Sequence, residues 1–236
     1  MTTLSVVMPV YNEEDYIEEA LSELTTLLDA WMKGAYELIV VENGSTDKTR
    51  SCLAKLEKKY RQLRVLFYPD GANYGGAIRY GFLNAKGEYV LNCSADWYDV
   101  AFMRKALPFL KTYDGVLSSK FMNKTTDNRG AFRKLVSFGY NLLLLLLFQR
   151  ALTDTHGINL YRTEVVQPIA KLCKTGHSLF PTELVLRCER KGLRLKHLPI
   201  RIKEKRNARK PILGRALKTI VGVIRMRLLL FRDPSF

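Results

Sequence analysis

Four short apolar runs, each followed by a polar turn and a helical period, restrict this chain to a small set of folds. Leu4–Val10 and 37–41 are continuous, β-branched stretches of buried-strand length, and 64–68 and 89–91 repeat the pattern. Between them lie three helical segments. The first opens at Tyr11-Asn-Glu-Glu-Asp15 and runs to about Trp31, with Ile17, Ala20, Leu21, Leu24, Leu27 and Leu28 on one face. The second runs from about Lys48 to Tyr60, with Thr46 or Asp47 as its cap, and the third from about Gly76 to Ala85. Such alternation predicts an α/β fold: a mostly parallel central sheet with right-handed crossovers and flanking helices. Pro9 is expected near the end of its strand, because proline donates nothing to a central ladder.

In sheets of this kind ligands collect outside the carboxyl ends of the strands. The polar turns Tyr11–Glu13, Glu42–Asp47 and Asp96–Asp99 all fall at that edge. A strand that stops at Asp96 and Asp99 suits a divalent cation, which takes oxygen ligands; a solvated acidic turn is the plainer alternative. Gly71, Gly75 and Gly76 form neither GxxxxGK[ST] nor GxGxxG, and the turn after Val10 has no glycine. P-loop chemistry and dinucleotide-dependent hydride transfer are therefore set aside.

The net charge of +15 requires an anionic counterpart. Its densest stretch, Arg201 to Lys210, lacks the interleaved aromatics and module signatures of a nucleic-acid binder, so no nucleic acid is expected. The four cysteines have neither CxxC nor zinc-finger spacing, which fits a reducing, cytosolic setting. The amino terminus runs straight into a strand, so no signal peptide is expected.

Two later segments are unusually apolar. A helix over about 132–150 contains six consecutive leucines, Leu142–Leu147, bracketed by Arg133, Lys134 and Arg150. It falls short of the roughly 20 apolar residues needed to span a bilayer, and its apolar groups surround the axis. The second runs from Leu213 to Phe231: Arg215, Lys218, Arg225 and Arg232 share one face, and Leu213, Leu217, Ile220, Ile224, Leu228 and Phe231 lie opposite. Both are expected to lie in the interface of an acidic membrane, peripherally, at its cytoplasmic face; a buried core helix is the alternative for the first, and packing on the domain itself for the second. Arg227 falls on the apolar side of the second helix, where it would snorkel or meet a lipid phosphate. The expected organisation is a domain over 1–210 and an amphipathic helix over 211–236.

Several motifs together carry a resemblance. Ser5-Val-Val-Met-Pro-Val-Tyr-Asn-Glu13, Val40-Val-Glu-Asn-Gly-Ser-Thr-Asp47, Tyr74-Gly-Gly-Ala-Ile-Arg-Tyr-Gly81 and Ala85–Asp96 resemble, in order and spacing, the signatures of glycosyltransferase family 2. Gly157-Ile-Asn-Leu-Tyr-Arg162 and the pattern from Glu183 to Ile200 resemble its dolichyl/polyprenyl-phosphate mannose or glucose synthases. The resemblance implies the GT-A fold and an inverting, metal-dependent hexosyl transfer from GDP-mannose or UDP-glucose to a polyprenyl or dolichyl phosphate. Pro9, Tyr11, Glu13, Glu42, Asn43, Ser94, Ala95 and Asp96 would bind the nucleotide sugar, with Glu42 toward the base or ribose. Asp96 would hold Mg²⁺ or Mn²⁺, with Asp99 as a substitute ligand, since Ser94-Ala-Asp96 stands where the family has Asp-x-Asp. Lys120, Arg133 and Arg206 would act with Asp96 in catalysis, and together with Asp154, Glu183 and Lys210 would meet the acceptor phosphate. A small membrane subunit is a further implied partner. The missing carboxylate keeps open a non-catalytic nucleotide-sugar or lipid-phosphate binding subunit, and a saccharide acceptor is the other alternative.

Overall fold

The computed structural model describes residues 3–119, 122, 126–127, 131–149, 155–202 and 212–236. Seven strands form one sheet: β1 (Leu4–Val10), β2 (Tyr36–Glu42), β3 (Leu63–Phe67), β4 (Tyr89–Asn92), β5 (Gly115–Ser119), β7 (Asn159–Arg162) and β8 (Leu195–Pro199). Their order is β3-β2-β1-β4-β7-β5-β8. All run in one direction except β7, which is antiparallel to both β4 and β5. The parallel sheet expected from the alternation is present, and the reversed strand inside it was not foreseen. Two short strands, β6 (Thr126–Asp127) and β9 (Arg201–Ile202), pair separately.

Pro9 sits within β1, opposite Val41. The ladder tolerates it for a geometric reason. The Val7 carbonyl accepts from Cys93 N–H, so the odd residues of β1 face β4. The β4 pairing ends at Val7–Asn92, and the missing Pro9 N–H falls beyond it.

Helices cover both faces. α1 (Ile17–Met32), α2 (Thr49–Lys59) and α4 (Val100–Ala106) bury Leu21, Leu24, Leu53 and Phe102 on one side with Val6, Met8, Leu38 and Leu91. α3 (Tyr74–Leu83), α6 (Thr163–Leu172) and α7 (Phe180–Arg190) cover the other, over Val7, Ile39, Val90 and Tyr161. Against this second layer lie α5 (Ala131–Phe148), through Leu144, and α8 (Ile212–Phe231), through Val223, Met226 and Leu230. The chain after α8 folds back on α7. Arg187, fully buried, donates to Asp233 (2.5 Å), to Glu183 (2.8 Å) and to the Ser235 hydroxyl, and its guanidinium lies 5.6 Å from the Phe236 ring centre.

α1 starts at Ile17 rather than at Tyr11, and the cause is tertiary. Asn12 takes a left-handed φ of 53°, and residues 12–14 spend their backbone groups on the next loop instead of on a first helical turn. The amphipathic faces of α5 and α8 pack only in part. Phe138 (59% exposed), Leu146 (70%), Leu228 (60%) and Phe231 (74%) face outward, joined by Leu142, Leu145, Ile220, Val221 and Ile224. Among the described residues no helix is long and apolar enough to cross a membrane.

Candidate active site

The carboxyl edge is organised by two interlocked loops. Asn12 N–H donates to Ser45 Oγ (3.0 Å), and the Asn12 amide exchanges bonds with Thr46, accepting its N–H at 2.8 Å. Glu13 N–H donates to Thr49 Oγ1 (2.8 Å), and Lys48 N–H to the Glu14 carboxylate (2.8 Å). Asp47 accepts from Thr49 N–H (2.9 Å) at the start of α2, but the cap position itself is Lys48, not the expected Thr46 or Asp47. Burial alone would raise the Asp47 carboxyl, but hydrogen bonds from Thr49 and Glu14 outweigh it and hold the carboxyl below its ordinary value. Pro9 is buried beneath these loops, Tyr11 is exposed at their mouth, and Glu13 is half-buried between them.

Glu42 ends β2 and is wholly buried. One carboxylate oxygen accepts from Ser45 N–H, and the other pairs with Arg50 Nε at 2.7 Å. Arg50, half exposed, also lies over the Phe67 ring at 5.6 Å. Glu42 was expected to face a base or ribose. Here its carboxylate folds the 43–47 loop and orients Arg50, so the group presented at this edge is a guanidinium. Arg50 carried no motif signal, and only the packing of α2 on β2 and β3 reveals it.

Beyond β4 the chain makes a two-residue hairpin turn. Ser94 and Trp97 exchange backbone bonds at 3.2 Å, which puts Ala95, buried, and Asp96, half-buried, at its tip. Tyr74, first residue of α3, is 37% exposed over the whole residue, but its hydroxyl end is pushed up by local burial, with the Cys93 thiol and the Asp96 carboxylate adding to the shift. Tyr74 therefore belongs to the surroundings of Asp96; it opens one of the motifs of the resemblance, which gave it no site role.

Asp99 is used differently from its expected role. Its carboxylate accepts from Phe102 N–H (2.9 Å), capping α4. It also lines a cavity of about 500 Å³ with Glu23, Leu27, Trp31 and Arg104, on the α1 side, which Asp96 does not line. The structure thus gives the Asp99 carboxylate a capping role at α4. Glu183 likewise departs from the expected acceptor site. It is fully buried, and its carboxylate accepts from Lys174 N–H, Thr175 N–H, the Thr175 hydroxyl and Arg187. An anion with its oxygens filled from within the chain holds α7 to the preceding loop and offers a phosphate nothing.

Arg227 also departs from its expected role. Its Nε–H donates to the Leu147 carbonyl (2.8 Å), and its guanidinium lies between the Phe148 and Phe231 rings. It closes the last turn of α5 instead of reaching into lipid. Lys120, Asp154, Arg206 and Lys210 lie outside the described residues. Arg133 falls in the first turn of α5, and its side chain is likewise outside them.

On the far side of Asn43 a second set of contacts tightens the edge. Asn43, buried, accepts from Asn73 N–H at 2.8 Å, and Asn73 caps α3 by accepting from Gly76 N–H at 3.0 Å. Gly75 lies so near the segment before α7 that a Cβ there would stand 2.3 Å from the His177 carbonyl oxygen. Gly75 thus serves close packing between α3 and residues 176–180, while Gly76 makes room for the Tyr68 ring.

The signature of glycosyl transferase family 2 matches residues 5–169, the part of the chain that holds β1 to β4 and all these turns. The chain belongs to glycosyl transferase family 2. Within that family it is 26% identical to a dolichyl-phosphate beta-glucosyltransferase of Saccharomyces cerevisiae over 219 residues, covering 84% of this chain and 66% of that protein. It is 30% identical to the Homo sapiens protein of the same name over 199 residues, covering 77% of this chain and 61% of that protein. The family 2 chain thus spans a little under two thirds of the length of these relatives. Among solved structures, glucosyl-3-phosphoglycerate synthase from Mycobacterium tuberculosis, crystallised with Mn²⁺ and uridine diphosphate, superposes with a TM-score of 0.68 over 96% of this chain and 80% of that one. At 21% identity that likeness establishes the shared fold, which is the GT-A-like architecture expected from the motifs.

Proposed function

We propose that this chain transfers glucose from UDP-glucose to the phosphate of a polyprenol or dolichol at a membrane surface. One observation carries the reading. The uncovered apolar faces of α5 and α8 belong to the layer of α3, whose cap residue Asn73 joins the polar turns of the carboxyl edge within the stretch that the family signature matches. A lipid-borne acceptor needs both features: a surface that lies in the headgroup region and a polar edge within reach of it. The relatives' name favours glucose over the mannose that the motifs left open. Arg225 on α8 and Arg232 just beyond its end suit an acidic membrane surface, and we assign the cytoplasmic face on the same ground as the reducing setting.

Pro9, Tyr11, Glu13, Asn43, Ser94 and Ala95 form the donor pocket in this reading, and Glu42 acts through Arg50. A Mg²⁺ or Mn²⁺ fits the hairpin turn if the donor supplies most of its oxygens. Asp96 is a single half-buried carboxylate, and no group of three His, Cys, Asp or Glu side chains among the described residues could cage an ion. Bound there, the ion would stabilise charge on the leaving diphosphate. The acceptor phosphate is already anionic, so its oxygen attacks the anomeric carbon without a general base as the bond to the diphosphate breaks, with inversion. The chain's task is in-line alignment and cation support. Lys120, Arg133, Arg206 and Lys210 are the proposed cations on the phosphates, with Asp154 at the acceptor.

The test is a transfer assay with UDP-glucose or GDP-mannose, a short polyprenyl phosphate in acidic vesicles, and Mn²⁺ or chelator. Glucosyl lipid from UDP-glucose is the expected product. Transfer to a soluble saccharide with none to the lipid phosphate would reject the acceptor. Ser94 favours a second reading, a non-catalytic binding subunit, which predicts donor binding by calorimetry with no turnover on any acceptor.

A further inference from the structure

Six hydrogen bonds run in series across the carboxyl edge, from the loop after β2 to the middle of α5. Asn73 N–H donates to Asn43 Oδ1 (2.8 Å), and His177 N–H donates to Asn73 Oδ1 (2.6 Å). One residue on, the Ser178 carbonyl accepts from His156 Nε2 (2.6 Å). A carbonyl can only accept, so Nε2 carries the hydrogen, and in the neutral ring Nδ1 accepts from the Thr155 hydroxyl at 3.0 Å. Thr155 then has no proton left to give, so Thr182 donates to it (2.8 Å), and Tyr140 donates to Thr182 (2.7 Å). With the imidazole neutral, the direction of every link follows from the Ser178 carbonyl. The Tyr140 ring also packs edge-on against the His156 ring, with centroids 5.6 Å apart.

The series links six separate pieces of chain: the end of β2, the α3 cap, the 176–178 segment, the 155–157 loop, α7 and α5. It is built tightly. A Cβ on Gly176 would come within 2.8 Å of the Asn73 amide, and His177 is held at a left-handed φ of 49°, unusual outside glycine. Thr155 and Thr182 are buried, so their hydroxyls would be costly to leave without these partners.

We infer that Asn73 and His156 are positioning residues: through this strut they fix the separation between the nucleotide loop and α5, and so between the donor sugar and a lipid-borne phosphate. The inference rests on the lipid-phosphate reading of the preceding subsection. Neither residue touches the reacting atoms. Misplacement on the order of 1 Å is enough to cost rate in an in-line transfer that depends on alignment alone.

Four variants test it: Asn73→Ala, Asn73→Asp, Tyr140→Phe and the double Asn73→Ala/Tyr140→Phe. Each is assayed with the polyprenyl phosphate varied at saturating UDP-glucose, and each is titrated with UDP-glucose alone. Asn73→Ala and Tyr140→Phe should each lower kcat/KM for the lipid by about ten-fold, with donor affinity within about two-fold of wild type. Asn73→Asp keeps both accepted bonds and should restore the rate. The double variant should be little worse than either single, since one break already frees the strut. Lipid kcat/KM within about two-fold of wild type in both singles, or losses that multiply in the double, would overturn the inference. If wild type transfers no sugar to lipid phosphate, the proposed function fails by itself. Amide exchange then judges the strut: faster exchange at His177 and around Tyr140 in Asn73→Ala but not in Asn73→Asp supports it, and unchanged exchange overturns it.

Discussion

Arg227 and Leu147 are joined by a 2.8 Å hydrogen bond from the guanidinium Nε–H of one amphipathic helix to the last-turn carbonyl of another. This bond decides how α5 and α8 lie together. The cation supplies a donor and a positive charge where α5 presents unpaired carbonyls, and the Phe148 and Phe231 rings lie about its plane. Replacing Arg227 by Ala should lower unfolding free energy by about 1 kcal/mol, measured by denaturant titration. Lys at this position should recover only part, because it keeps the charge and loses the fixed fork.

Asp96 and Asp99 should separate cleanly in their effects. Asp96→Ala should reduce sugar transfer by about 100-fold or more while Tm stays within about 2 °C, since this carboxylate sits at a turn tip and caps no helix. Asp99→Ala should do the reverse, costing about 1 kcal/mol through the lost α4 cap with transfer retained. A paired measurement of Tm and turnover checks both.

The Asp233 carboxylate is held well below the usual range, first by the Arg187 guanidinium and then by the Ser235 hydroxyl and backbone and by Lys174. A depressed carboxyl contributes stability that is complete above its unfolded value, about 4, and is lost as pH falls from there through the lower folded value. Asp233→Asn should therefore destabilise by about 3 kcal/mol at neutral pH, because Arg187 stays buried with one partner gone. The gap between wild type and variant should narrow progressively in denaturant titrations carried below pH 4.

Leu146 and Leu228 are among the most exposed apolar side chains of the two helices. Changing both to Glu should leave Tm within about 2 °C and weaken binding to acidic vesicles by about ten-fold or more in a flotation assay. Equal binding by wild type and variant would remove the membrane-facing role of this surface.

Gly75→Ala should be strongly destabilising even though Ala is the better helix former. The added methyl would meet a backbone oxygen at 2.3 Å and the Phe180 side chain at 2.6 Å, and neither can move alone. A loss of about 2 kcal/mol is expected, against a gain of under about 1 from helix propensity.

Much of the fold was legible because its signal is local. The apolar runs of β1 to β4 and the helical periods between them come from residues close in sequence, and element ends agree within a few positions. α1 is the exception, since its expected first turn is spent on loop-to-loop bonds. The reversed β7 was hidden for a related reason: four residues, Asn159–Arg162, carry no mark of strand direction.

The site divides along the same line. Sequence alone determined that polar turns gather at the carboxyl edge, because alternation of strands and helices implies parallel strands whose following turns all leave from the same edge. Tertiary structure alone decided what each charged group does there. Glu42 turns inward to Arg50, Glu183 and Asp233 enclose Arg187, Asp99 caps a helix, and Arg227 closes α5. A side chain's role depends on which partner satisfies it, and those partners come from distant parts of the chain that only folding brings within hydrogen-bond distance.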